Sequence, residues 1–193
     1  MNLAEYRSWS KPRLAEALAA GHALDPADLV GWQYQGISLG LPRWLERLTW
    51  SVFVKAFAAD GAGVYGWNVR IVQGDDRLLE VNADLRPRTR GNKPWEFGYF
   101  RATPLSSWQQ TRTRLRQPCG PGVMLDYVHP RNPTLDPTRL VRDPLVALRP
   151  GDPTLLLGVS LLELGGRHWH TGSWFVLQRW RELPRSNAGQ NLP

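Results

Sequence analysis

At 193 residues the chain is long enough to bury a core without staples, and its single cysteine, Cys119, excludes an internal disulfide. The net charge of +7 comes mostly from arginines spread along the chain, so charge alone marks no dedicated nucleic-acid face, and nucleic acid is not the expected partner. No run of about 18 apolar residues occurs and the N-terminus has no continuous apolar stretch of the secretory kind, which excludes a membrane-spanning helix and leaves a soluble cytoplasmic protein as the expectation.

Ser10 is placed to cap a helix with Pro12 in its first turn. Leu14, Ala17 and Leu18 recur at helical spacing and Gly21 is placed to end the run, so a helix is expected over about 3–20. After the turn Asp25-Pro26-Ala27-Asp28 the period becomes two. Over 29–39, Val30, Trp32 and Tyr34 share one face and Gln33 and Gln35 the other. A turn of helix and then a strand are expected over 43–57. Strands follow at 64–72 and 78–85, separated by the polar turn Gly74-Asp75-Asp76. A basic loop at 87–92 leads to a strand at 95–103 with Trp95, Phe97 and Tyr99 at alternate positions, and 108–116 reads as a short strand or helix.

A strand is expected at 123–128, then a proline-rich loop at 129–137. The strand at 140–148 contains Pro144, which marks an edge or a bulge. The turn at 149–153 introduces a hairpin of 154–164 and 169–180 around Gly165-Gly166. Eight or nine antiparallel strands without alternating helices make an all-β barrel or sandwich, and barrels of about eight strands either fill their interior or hold one small ligand. One domain is expected over 1–183, followed by a polar, disordered tail over 184–193.

The strand Gly31-Trp32-Gln33-Tyr34-Gln35-Gly36 resembles the Gly-x-Trp first strand of lipocalin-like (calycin) barrels. It is also similar to the opening of bacterial domains named for a Gly-x-Trp-x-Gly-Lys motif, with Lys55 following in Trp50-Ser-Val-Phe-Val-Lys-Ala-Phe57. Asp126-Tyr127, in reversed order, then Pro133, Arg142-Asp143, Gly158 and Phe175-Val-Leu-Gln-Arg179 resemble the companion domain of that family. The resemblance implies an antiparallel lipocalin-like barrel in which Trp32 lies under Arg179 at the closed end, a structural pair held by cation–π attraction. It speaks to fold far more than to activity.

Two groups of residues carry the functional expectations. Tyr34, Trp67, Trp95, Phe97, Tyr99 and Trp174 would wall a cavity for an apolar small molecule, with Arg142 meeting a carboxylate where the ligand is acidic; the same aromatics equally suit a filled core. Asp126, Tyr127 and Asp143 would converge at the barrel mouth as a general acid–base group beside Arg142; alternatively an Arg–Asp pair pins the loop at 129–137. His168 and His170 share a strand face and could meet a third ligand from Asp126, His129 or Asp143, or His170 could bind haem as in lipocalin-like nitrobindins. Two histidines fall short of a metal spacing, so no metal and no cofactor is expected. Arg112, Arg114 and Arg116 would stripe a strand, and Arg86, Arg88, Arg90 and Lys93 form a second basic patch, both read as solvated faces. Nucleophile-elbow, phosphate-loop and dinucleotide motifs are absent, and Cys119 lacks an activating neighbour. The leading expectation is a binding protein for an apolar small molecule. The alternative is an isomerase- or cyclase-like proton-transfer enzyme on the same scaffold.

Overall fold

The computed structural model describes residues 3–40, 51–73, 80, 84–111 and 115–184. A 3₁₀ turn at Leu3–Ser8 precedes helix α1 (Lys11–Ala19), whose first turn is capped by the Ser10 hydroxyl accepting the Arg13 N–H. Ten strands follow among the described residues: β1 (Trp32–Leu39), β2 (Val52–Asp60), β3 (Gly63–Arg70), the two-residue pair β4 (Thr89–Arg90) and β5 (Lys93–Pro94), β6 (Glu96–Pro104), β7 (Val123–Asp126), β8 (Val141–Arg149), β9 (Asp152–Leu164) and β10 (Arg167–Glu182). Helix α2 (Leu105–Thr111) joins β6 to the segment before β7.

Eight of these strands close an antiparallel barrel in the order β1-β10-β9-β8-β7-β6-β3-β2, and β4–β5 stands beside it as a separate hairpin. Apart from that hairpin, each strand pairs with its neighbours in the chain and β10 returns to β1, which removes every sheet edge. This is the all-β barrel with an N-terminal helix that the strand periodicity predicts.

Both faces of the barrel wall are buried over much of its surface. The inner face carries Tyr34, Phe53, Phe57, Phe100, Leu125, Tyr127, Leu145, Leu156, Phe175 and Leu177. The outer face carries a second apolar layer, including Val54, Trp67, Met124, Val146, Leu157 and Trp174, and Leu3, Tyr6, Leu14 and Leu18 of the N-terminal segment pack over its part on β1, β8, β9 and β10. The outer layer explains why β2 and β8 are buried on both faces along most of their length instead of alternating between buried and exposed residues.

Three inward phenylalanines sit opposite glycines on the neighbouring strand. Phe53 pairs with Gly36, Phe100 with Gly66 and Phe175 with Gly158. A Cβ on any of these glycines would stand 2.3 to 2.5 Å from the partner ring, so each glycine is the seat of one aromatic side chain.

Some expectations need revision. Pro144 lies inside a paired strand of a closed barrel, not at an edge: the ladder to β9 runs Arg142–Leu161 and resumes in the same register at Leu145–Gly158, so the missing N–H opens it only locally. Residues 105–111 are helical, which is the second of the two alternatives for the start of 108–116; Arg112 and Arg114 of the arginine stripe lie outside the described residues. The helical turn expected after 43, most of the strand expected over 78–85, and most of the tail also lie outside them.

Candidate functional site

The barrel interior divides into a packed end and an open end. At the packed end Tyr34, Phe57, Phe100 and Tyr127 follow one another at ring-centroid distances of 5.5, 5.4 and 5.3 Å. Tyr34 donates to the Pro153 carbonyl and receives Nη2 of Arg179 at 3.2 Å. The Arg179 guanidinium lies 4.5 Å from the Trp32 ring centroid and donates to the Asp28 carbonyl of the 3₁₀ turn Pro26–Leu29. The structure thus brings Trp32 and Arg179 together at the end that this turn covers.

The open end is a cavity of about 380 Å³. Phe53, Phe97, Val141 and Phe175 supply apolar wall, and Ser38, Thr138, Ser160, Thr171 and Ser173 supply hydroxyls. Where the cavity meets the packed half stand Lys55, Asn68, Tyr127 and Asp143, all buried.

These four side chains form one hydrogen-bonded chain. Lys55 Nζ donates to Asn68 Oδ1 at 2.9 Å and to Tyr127 Oη at 2.6 Å. Tyr127 donates to Asp143 Oδ2 at 2.9 Å, and the ammonium lies 3.7 Å from that same oxygen. Asp143 Oδ1 has no hydrogen bond of good geometry, while the Ser160 hydroxyl also acts on the carboxylate beside Tyr127 and Lys55. Four aromatic rings, those of Phe53, Phe100, Tyr127 and Phe175, lie 5.0 to 5.6 Å from Lys55 Nζ.

Burial dominates the electrostatics. Removal from water pulls Lys55 down to about 8, against the opposing pull of Asp143. The same desolvation raises the Asp143 carboxyl, and it holds Tyr127 well above the ordinary phenol value with help from the Asp143 charge. An amine and a carboxyl that both resist ionisation therefore face each other through a phenol.

Local backbone features aim these groups. A bulge in β6 opposite Trp67 shifts the register between Gly66 and Asn68, and Gly98 within it takes φ +54°. Asn68 Nδ2 donates to the freed Gly98 carbonyl, which turns its Oδ1 towards Lys55. A second bulge interrupts β10 between His170 and Trp174, where Gly172 adopts φ +83° and Thr171 donates to the Ser160 carbonyl. It places Thr171 and Ser173 together on the cavity lining.

The residues expected to act together are divided by the strand period. Tyr127 and Asp143 point into the barrel, while their sequence neighbours Asp126 and Arg142 point out. Arg142 contacts Glu163 at 2.8 Å and Asp126 at 3.4 Å and donates to the carbonyls of Arg139 and Val141. Asp126 also receives the Trp108 indole N–H. A groove of about 590 Å³ lies outside the barrel beside Arg142 and Glu163. The loop at 129–137 is held by Arg139, which donates to the carbonyls of His129 and Asn132.

Of the expected aromatic walls, Phe97 lines the cavity and Tyr34 lies in the packed end. Trp67, Tyr99 and Trp174 belong to the outer layer, where Tyr65, Trp67, Tyr99 and His129 make a run of ring contacts. Trp95 lies under the Arg70 guanidinium, 3.9 Å from its ring centroid. His168 packs on Trp108, His170 is exposed, and His129 lies against Tyr99. No cluster of three or more histidine, cysteine or acidic side chains able to hold a metal occurs among the described residues. Burial pushes the Cys119 thiol up to about 12.

Lys55 and Asn68 were not among the expected site residues. The signal for Lys55 was present in Phe53-Val-Lys-Ala-Phe57, where a lone charge takes the inward position between two phenylalanines.

No protein-family model matches the chain, and neither a curated protein nor a solved structure is detectably similar to it.

Proposed function

We propose that the chain is a lipocalin-like binding protein that holds one apolar small molecule, with one or two polar atoms, in the open half of its barrel. The observation that carries this reading is the cavity of about 380 Å³ walled by Phe53, Phe97 and Phe175, with the Lys55–Tyr127–Asp143 chain at its inner limit. Apolar walls with a few convergent polar groups are the usual make-up of a small-molecule site. Lys55 and Asp143 offset each other's charge, so an uncharged polar group suits the site better than a free anion. A ligand carbonyl would accept from the ammonium or the phenol, and a ligand hydroxyl would in addition donate to Asp143 Oδ1.

Titration with an apolar fluorophore whose emission rises on desolvation tests this. Saturable one-to-one binding by the wild type, lost in a folded Ser160→Trp variant, is the expected result. Equal binding by both proteins would place the fluorophore elsewhere and count against the cavity.

The hydrogen bond from Tyr127 to Asp143 supports a second reading, proton-transfer catalysis with Asp143 as base and Tyr127 as donor to a carbonyl. Exchange of α-protons of a bound ketone with deuterated solvent, abolished by Asp143→Asn, would favour it over simple binding.

A further inference from the structure

We infer that Lys55 is a covalent attachment point for an aldehyde or ketone ligand, which it holds in the barrel cavity as an imine. The inference rests on the binding reading above and adds the chemical class of the ligand and the bond that retains it.

A lysine ammonium placed among four aromatic rings with under a tenth of its surface exposed has lost most of its hydration. The ion pair with Asp143 is long, at 3.7 Å with the phenol bridging it. The short contacts of the nitrogen are to the neutral oxygens of Asn68 and Tyr127, which do not hold an ammonium charged. The arrangement instead suits an amine that gives up its proton. Lys55 Nζ, Tyr127 Oη and Asp143 Oδ2 form a relay along which a proton can pass from nitrogen to carboxylate, leaving two neutral groups in an apolar site. The lowered affinity of Lys55 for its proton and the raised affinity of Asp143 act in the same direction.

The chemistry closes without a further reagent. The neutral amine adds to the carbonyl carbon, and the carbonyl oxygen takes a proton from the Tyr127–Asp143 pair to give a carbinolamine. The nitrogen returns one hydrogen through Tyr127 to Asp143. That proton joins the hydroxyl, which leaves as water, the nitrogen lone pair forms the C=N bond, and the last N–H proton passes back to the Asp143 carboxylate. One amine and one carbonyl thus give one imine and one water. Asn68, held by the Gly98 carbonyl, keeps the nitrogen at the cavity wall for as long as that nitrogen carries a hydrogen to donate. Tyr127 and Asp143 are placed for proton transfer, and Phe53 and Phe175 exclude water that would hydrolyse the product.

The chain has only two other lysines, Lys11 and Lys93, which with the terminal amine provide an internal comparison. The full chain is incubated at pH 7 with 3-phenylpropanal and sodium cyanoborohydride, and the reduced adduct is located by peptide mass spectrometry. In parallel, 3-phenylpropan-1-ol, which cannot form an imine, is tested by native mass spectrometry. The expected result is one adduct per chain at Lys55, formed at least tenfold faster than at Lys11 or Lys93. Its rate should rise with pH through about 8 and fall at least tenfold in Asp143→Asn. Labelling of Lys11, Lys93 and the terminus with Lys55 spared would overturn the inference. If the alcohol still binds in that case, the binding reading stands without it. If neither compound binds, both fall for this ligand class. Because the mapping is done on the wild type, the location of the adduct does not depend on the Asp143→Asn variant folding.

Discussion

The Lys55 ammonium donates to the Tyr127 hydroxyl across 2.6 Å, and Tyr127 passes the bond on to Asp143 at 2.9 Å. Each group is buried, so each depends on the others for its polar contacts. Removing one end should leave the other uncompensated. Lys55→Met or Asp143→Leu alone is expected to cost about 3 kcal/mol, and the double variant should recover most of that loss. Urea denaturation of the three variants checks the coupling. Additive costs would mean that the two residues do not act as a pair.

Several buried groups contribute to the pH dependence of stability, His129 and Lys55 among them. His129 is pushed down to about 4 by burial and by Arg101 and Arg131, whereas in the unfolded chain it titrates near 6.5. Between those values the unfolded state binds more protons, so stability should fall as pH drops from 6.5 to 4. His129→Gln should flatten that fall. Lys55, with a folded pKa of about 8 against 10.5, also leaves more protons on the unfolded chain, and stability should rise from pH 8 towards 10. Above pH 10 Tyr127, held neutral by burial, acts in the opposite sense. Lys55→Met should lose the alkaline rise. Denaturation midpoints across both ranges supply the measurement, and unchanged slopes in the variants would contradict the assignments.

Gly158 seats the Phe175 ring, which walls the cavity. Gly158→Ala should therefore cost about 1–3 kcal/mol and also weaken ligand binding, because the ring must shift. At Gly61 a Cβ would meet nothing within 4 Å, so Gly61→Ala should stay within about 0.5 kcal/mol of wild type. Thermal melts of the two variants, each with and without a bound fluorophore, compare them directly.

Arg142 lies outside the cavity with its guanidinium on Glu163, Asp126 and two carbonyls. Arg142→Met should cost about 3 kcal/mol in stability yet leave the affinity of the folded protein for an apolar ligand within about twofold. A large loss of affinity without a loss of stability would return Arg142 to the role of ligand partner.

The period-two alternation and the short spacing of strands without alternating helices were enough to read an antiparallel barrel or sandwich, and the resemblance of the first strand pointed to the barrel. The site was legible only in part. Asp126-Tyr127 and Arg142-Asp143 were recognised as polar pairs on strands, but adjacent strand residues face opposite ways, so only Tyr127 and Asp143 could share the interior. The outer aromatic layer blurred the distinction further, since Trp67, Tyr99 and Trp174 are as apolar as the true cavity wall. Lys55 and Asn68 required the register between β2 and β3, which pairs them directly. No local pattern encodes that register, nor the bulge at Gly98 that orients Asn68.

The most direct test of the central claim is native mass spectrometry of the protein purified from its own host, beside the Ser160→Trp variant prepared in the same way. The account predicts a retained small molecule on the wild type, one per chain, that is missing from the folded variant. A wild-type protein that carries nothing and takes up no apolar compound when challenged would contradict it.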